Sequence, residues 1–130
     1  MKVAVSSKGT ERTSPVDPRF GRAPYFVVVD TEGDETQGLE NPGALAGTGA
    51  GVAAAQLISD AGAEVVITNA VGPHAWTALG SGGIDVYEAA RGTVDEMVSL
   101  LLAGNLSRIE GPNAEFKAGA ARVGQSPDAQ

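Results

Sequence analysis

Two arginines in one short loop are the residues of this chain best suited to bind an anion. Arg19 and Arg22 lie in the segment Asp17–Asp30, where a polar loop runs directly into an apolar strand. A guanidinium group is always charged and presents its donors in a planar fork, which suits anionic ligands. Gly21 lies between the arginines and lets the backbone turn where a side chain would clash. We therefore predict that Arg19, Gly21 and Arg22 form one wall of an anion-binding site.

A second candidate wall is the segment Asn69–His74, which follows an apolar strand and opens a helix. Gly72 and Pro73 stand at the start of that helix, with Pro73 placed like a proline in the first helical position. Backbone N–H groups at such a start attract anions. His74 is the only histidine of the chain. Because imidazole is the natural ligand for a first-row metal when no thiolate is present, we predict His74 as a metal ligand.

A glycine-rich segment, residues 47–51, resembles a phosphate cradle and leads into a helix. Thr48, Gly49 and Gly51 are the residues at which a backbone could approach a ligand closely. No Gly-Lys-Ser/Thr follows, so the segment is not a P-loop, and no clear first strand of a βαβ unit precedes it. The alternative is a linker that ends in a helix start.

The other two loops also have purely structural interpretations. The arginines could form surface pairs with Asp17, Asp30 or Glu11, which contribute about 0–1 kcal/mol each. His74 could be an exposed residue of the first helical turn, with Trp76 in the core.

Composition narrows the choice of ligand. The chain has 9 Lys and Arg against 16 Asp and Glu, a formal charge of −7, which argues against a nucleic-acid partner. The absence of cysteine excludes disulfides and thiolate metal sites. No window approaches about 20 continuous apolar residues, so we predict no membrane span and expect a cytoplasmic protein. We expect a monomer or a weak homo-oligomer.

The elements that must position these loops form an α/β fold. The predicted strands are Lys2–Ser6, Tyr25–Asp30, Glu35–Glu40, Glu64–Asn69 and Ile84–Tyr87, and the predicted helices are Val52–Ala61, His74–Leu79 and one that begins after Thr93. We predict that the second and third strands form an antiparallel hairpin, and that Thr93 and Glu96 form a capping box at the start of the last helix. The order β-β-β-α-β-α-β-α predicts a mixed sheet of five strands with flanking helices. In such a sheet the three loops meet beyond the carboxyl ends of the parallel strands. We assign residues 1–110 to one domain and predict that residues 111–130 form a flexible or weakly docked tail.

The ordered segments resemble the dinitrogenase iron–molybdenum cofactor biosynthesis family, which includes NifX-like proteins and the C-terminal part of some NifB proteins. The resemblance is carried by Phe20–Asp30, Glu40–Pro42, Gly49–Leu57, Gly62–Thr68, Val71–Ala75, Gly83–Tyr87 and Gly92–Val94. It covers about residues 1–104. It implies a ribonuclease-H-like fold without nuclease activity, and a non-enzymatic carrier or scaffold for iron–sulfur or iron–molybdenum cluster precursors. The implied partners are maturation proteins that donate or accept the cluster.

One alternative function follows from a departure of this chain from the family. Many members of the family carry a His-Gly segment just before the first helix, where this chain has residues 47–51. The alternative function is therefore a small-anion-binding or protein-interaction module that has lost cluster binding. A further candidate function is a metal-dependent nuclease of this fold. Such a nuclease needs converging carboxylates, one of them normally on the first strand, and the absence of any carboxylate in Lys2–Ser6 disfavours it.

Overall fold

The computed structural model describes residues 1–45 and 48–114. In this part of the chain the strands are β1 Lys2–Ser7, β2 Tyr25–Asp30, β3 Thr36–Glu40, β4 Val65–Thr68 and β5 Asp85–Glu88, and the helices are α1 Ala50–Asp60, α2 Pro73–Ser81 and α3 Val94–Leu102. A 3₁₀ turn at Pro42–Leu45 precedes α1. The predicted order of elements is confirmed, and α1 begins earlier than predicted, at Ala50.

The five strands form one mixed sheet in the order β3-β2-β1-β4-β5. β2 pairs antiparallel with both β1 and β3, which confirms the predicted hairpin, and β4 pairs parallel with β1 and β5. The carboxyl ends of β1, β4 and β5 therefore lie at one edge, which we call the carboxyl edge. The register places Ser7 opposite Tyr25 and Tyr25 opposite Glu40, so β2 begins and β3 ends at this same edge.

Two apolar layers hold the helices on opposite faces of the sheet. Alternate residues of each strand point to opposite faces, so Val66 of β4 packs with α1 and α2 while Ile67 packs with α3. Ile58 and Leu79 fill the first layer, and Met97 fills the second; all three are fully buried. This arrangement aims the first turns of α1 and α2 at the carboxyl edge on the same face.

Helix α3 has its own cap, as the sequence predicts. The Thr93 hydroxyl accepts a hydrogen bond from the Glu96 N–H, and the Glu96 carboxylate accepts one from the Thr93 N–H. The N–H groups of Val94 and Asp95, in the first turn of α3, donate to the backbone carbonyls of Ser14 and Arg12. The start of α3 is therefore satisfied by the chain itself.

The segment that follows α3 closes the β5 edge of the sheet. Tyr87 and Arg108 form an antiparallel bridge, and the flanking bonds run from the Glu88 N–H to Ser107 and from the Ile109 N–H to Val86. Of the predicted tail at 111–130, residues 115–130 lie outside the described residues. No helix of the described residues is long and apolar enough to cross a membrane.

Candidate functional site

The loop that carries Arg19 and Arg22, which we call the arginine loop, docks on the segment that leads into α2. The Phe20 N–H donates to the Ala70 carbonyl at 3.2 Å, and the Ala70 N–H donates to the Pro18 carbonyl at 2.8 Å. Phe20 is fully buried, and its ring lies edge-on to Phe26 with the centroids 5.3 Å apart. The loop is thus fixed to the core between Arg19 and Arg22, while both arginines remain exposed.

Glycines let this loop and the two helix starts touch. A Cβ atom on Gly21 would lie 3.0 Å from the backbone nitrogen of Gly51, in the first turn of α1. A Cβ atom on Gly51 would in turn lie 2.7 Å from the Cβ of Ala75, in the first turn of α2. A side chain at Gly51 would force the backbone to move, and one at Gly21 would be tightly crowded, so glycine at both positions favours this approach. The structure therefore brings Gly21 and Gly51 together.

Both helices at the site begin with glycine at the N-cap. Gly49 precedes α1 with φ 76°, and Gly72 precedes α2 in an extended conformation. Neither residue has a side chain that could accept bonds from the N–H groups of the first turn, in contrast to Thr93 at α3. The partial positive charge of both helix starts therefore faces the carboxyl edge without a capping side chain from the N-cap residue.

The guanidinium of Arg19 is held by a buried carboxylate. Asp17 accepts from Arg19 Nε at 3.0 Å and Nη2 at 2.7 Å, and from the Arg19 N–H at 2.9 Å. The Asp17 side chain is 1% exposed and the Arg19 side chain 59%. Burial by itself raises the pKa of Asp17, but the hydrogen bonds and charge of Arg19 outweigh it and lower that pKa below its ordinary value. The structure therefore shows the pairing of Arg19 with Asp17 that is the structural interpretation of this loop. The carboxylate of the pair is buried, whereas that interpretation placed it on the surface.

Asn41 is a site residue that the sequence interpretation missed. It is 3% exposed, and its amide donates to the carbonyls of Gly21 at 3.2 Å and Ala23 at 2.8 Å. Its side-chain oxygen accepts from the Gly43 N–H at 3.1 Å. Asn41 thus ties the arginine loop to the lead-in of α1. An asparagine directly after a strand and before proline is a signal for such a turn.

Asn69 and Asn113 hold the opposite side of the site. The Asn69 amide donates to the Ala89 carbonyl at 2.8 Å, which gives this predicted ligand residue a structural role between β4 and β5. The Asn113 side chain donates to the Asn69 carbonyl at 2.6 Å and accepts from the Val71 N–H at 2.7 Å. Residues 113–114 therefore rest on the segment that precedes α2. No local pattern in the sequence marks Asn113, because its partners lie more than 40 positions away.

His74 and Thr48 are exposed at the two helix starts. His74 is the residue after Pro73, which occupies the first position of α2, and Thr48 precedes the N-cap of α1. Trp76 is partly buried against the core layer of α1 and α2. Among the residues that the structure describes, no three histidine, aspartate or glutamate side chains are grouped so that they could hold a metal ion. Of the predicted set, Pro73 and Gly72 lie where the sequence places them, at the start of α2.

Comparison with known proteins identifies the family. The model of a family described as "Dinitrogenase iron-molybdenum cofactor" matches residues 1–104. The chain belongs to the dinitrogenase iron–molybdenum cofactor family. The resemblance stated from the sequence is thereby confirmed over the same residues.

Two solved structures share this fold, and one further protein is similar in sequence. The apo form of the orange protein from Desulfovibrio gigas superposes with a TM-score of 0.82 at 38% identity, covering 86% of this chain and 95% of that one. A Thermotoga protein provisionally described as NifB gives a TM-score of 0.73 at 35% identity, covering 82% and 91%. An uncharacterised protein of Methanocaldococcus jannaschii is 34% identical over 98 residues, 73% of this chain and 83% of its own length.

Proposed function

We propose that this protein is a non-enzymatic carrier that binds an iron–sulfur or iron–molybdenum cluster precursor as cargo at the carboxyl edge of its sheet. The family is named for the iron–molybdenum cofactor of dinitrogenase. One similar solved structure is the apo form of the orange protein, and another is of a protein provisionally described as NifB. The partners would be maturation proteins that donate or accept the cargo.

The observation that carries the proposal is the contact between two helix starts that have glycine N-caps. Gly51 and Ala75 lie in van der Waals contact in the first turns of α1 and α2, and the Arg19–Arg22 loop packs directly on Gly51 through Gly21. Helix starts and guanidinium groups are both donors to anions. Their convergence in a chain of formal charge −7 favours a compact anion as the ligand.

The chemistry of these donors decides which kind of cluster fits. Guanidinium and backbone N–H groups donate hydrogen bonds, and the sulfur atoms of a metallocluster can accept them. A cluster that keeps its own sulfide or thiolate ligands therefore suits this site. A cluster that needs three or more protein ligands does not, because the described residues offer no such group. His74 at the start of α2 would supply at most a single ligand to iron.

The test is anaerobic loading with a synthetic thiolate-ligated iron–sulfur cluster, followed by gel filtration, iron analysis, visible absorbance and EPR. We expect the wild type to retain the cluster and Arg19→Ala to bind it roughly 10- to 150-fold more weakly, since a hydrogen bond to a charged group contributes about 1.5–3 kcal/mol. If imidazole ligates iron, His74→Ala alters the EPR spectrum. The matched control is Arg108→Ala, because Arg108 also pairs with an aspartate, Asp85, at 2.9 Å, but on the β5 edge.

Two outcomes would contradict the proposal. One is a wild type that elutes without iron, and the other is an Arg108→Ala variant that loses as much cluster as Arg19→Ala. The second candidate function, a small-anion module, predicts instead that the wild type excludes the cluster but shows saturable amide shifts at Gly49–Gly51 when titrated with sulfate.

A further inference from the structure

Asp17 carries a buried charge that lies directly behind Arg19 in the candidate site. Its carboxylate makes three bonds to Arg19, with Oδ1 accepting from the N–H and from Nε and Oδ2 accepting from Nη2. Two of the five N–H donors of the guanidinium are used in this way. The described part of the chain provides no acceptor for the other three, and the side chain is 59% exposed.

The Asp17 backbone is itself fixed to the carboxyl ends of the two central parallel strands. Its N–H donates to the Ser6 carbonyl at 2.9 Å, and its carbonyl accepts from the Ser6 hydroxyl at 2.6 Å. The hydroxyl oxygens of Ser6 and Thr68 lie 2.7 Å apart, and both residues are fully buried. The guanidinium of Arg19 is therefore connected through one carboxylate to β1 and β4.

We propose that Asp17 is a positioning residue for anion binding, which fixes the guanidinium of Arg19 so that its three remaining donors face the ligand at the carboxyl edge. This inference rests on the proposed function. Two parallel bonds define the plane of the guanidinium as well as its place, and a lysine cannot reproduce that geometry. Arg19 holds the pKa of Asp17 below its ordinary value although the carboxyl group is buried, so the carboxylate is ionised at neutral pH.

Positioning and simple electrostatics predict opposite effects at this residue. A carboxylate close to an anion opposes its binding by Coulomb repulsion, so on charge alone the variant Asp17→Asn should bind an anion more tightly. If Asp17 instead orients Arg19, the same variant should bind more weakly, although the site has gained positive charge. The sign of the change therefore separates the two roles, and a loss of folding is checked separately by the thermal unfolding midpoint.

The experiment measures the affinity of the synthetic thiolate-ligated cluster for the wild type, for three single variants, for one double variant and for a control. We expect Asp17→Asn to weaken binding about tenfold, and the double variant Asp17→Asn/Arg19→Ala to match Arg19→Ala alone, because both remove the same oriented donor. Arg19→Lys keeps the charge and a partner for Asp17, and we expect it to lose binding as well. Its control is Arg12→Lys, since Arg12 pairs with Asp95 at 2.7 Å on the α3 side.

Each outcome decides the inference. If Asp17→Asn fails to fold, the loss or retention of binding by Arg19→Lys decides it alone. If the wild type binds the cluster and Arg19→Lys binds equally well, or Asp17→Asn binds as well or more tightly, the positioning role is overturned while the proposed function stands. If the wild type does not bind the cluster, the proposed function fails and this inference fails with it.

Discussion

Gly51 of α1 and Ala75 of α2 meet where the two helices begin, with 2.7 Å between the position of a Cβ on Gly51 and the Cβ of Ala75. This is closer than two carbon atoms can approach without movement of the backbone. The contact sets the spacing between the two helix starts at the carboxyl edge. Its loss would change the site without removing any of the predicted ligand-binding side chains.

Gly51→Ala should therefore separate the two helix starts and destabilise the protein. An overpacked core contact costs about 1–3 kcal/mol, although alanine recovers part of this through its better helix propensity. Gly80→Ala is the matched control, because Gly80 lies in α2 with open space at its Cβ position, and we expect it to stabilise by up to about 1 kcal/mol. Urea denaturation of both variants measures the difference, and equal midpoints would contradict the close contact.

Asn41→Ala should destabilise the arginine loop, because the Asn41 side chain ties that loop to the residues that precede α1. The substitution leaves the carbonyls of Gly21 and Ala23 and the N–H of Gly43 without their side-chain partner. Unsatisfied buried polar groups cost about 1–3 kcal/mol, so we expect a loss of stability in that range. Asn105→Ala, at an exposed asparagine, should change the free energy of unfolding little. Similar losses in both variants would show that Asn41 does not hold the loop.

The Asp17–Arg19 pair should make stability depend on acid pH. Because folding lowers the pKa of Asp17, the unfolded chain binds its proton more readily, and the contribution of the pair is present above the unfolded pKa of about 3.9. It is lost as pH falls through the lower pKa of the folded state. The stability difference between wild type and Asp17→Asn should therefore be largest near neutral pH and shrink below about pH 4. Urea denaturation from pH 3 to pH 7 tests this, and a constant difference would contradict it.

Asn113→Ala should release the segment that leads into α2. The Val71 N–H would lose its acceptor, the Asn113 side-chain oxygen at 2.7 Å. A lost hydrogen bond of about 1 kcal/mol, with further loosening of the Asn69 contact, should speed amide exchange of Val71 roughly tenfold. Ser107→Ala serves as control, because Ser107 contributes its backbone carbonyl to β5 and that bond remains. Unchanged exchange at Val71 in the Asn113 variant would be the contrary result.

Local patterns predict the elements of this fold well. The strand Tyr25–Asp30 is observed with the predicted bounds, because an uninterrupted apolar run between a proline and a turn permits little else. The capping box of Thr93 and Glu96 is also as predicted, since it depends on residues three positions apart. Helix α1 begins two residues earlier than predicted, because glycine and alanine at its start give no periodic apolar signal.

The contacts that build the site are less accessible to the sequence. The charge of Arg19 and the start of α2 are visible in the residue types, but the position of Asp17 depends on its bonds to Ser6, whose hydroxyl in turn meets that of Thr68, 62 positions away. The bonds of Asn113 depend in the same way on the path of the chain after α3. Such long-range relationships arise from the packing of the whole chain, and they cannot be read from local residue types and spacing.

The strand-like segment that covers β5 extends beyond the part of the chain matched by the family model, which ends at residue 104. A protein shortened to that boundary would leave the backbone groups of Val86 and Glu88 without the partners they have at Ile109 and Ser107. An uncovered sheet edge of this kind can recruit strands from other molecules. We therefore expect residues 105–114 to oppose self-association through this edge, and versions of the protein that include them to remain dispersed in solution.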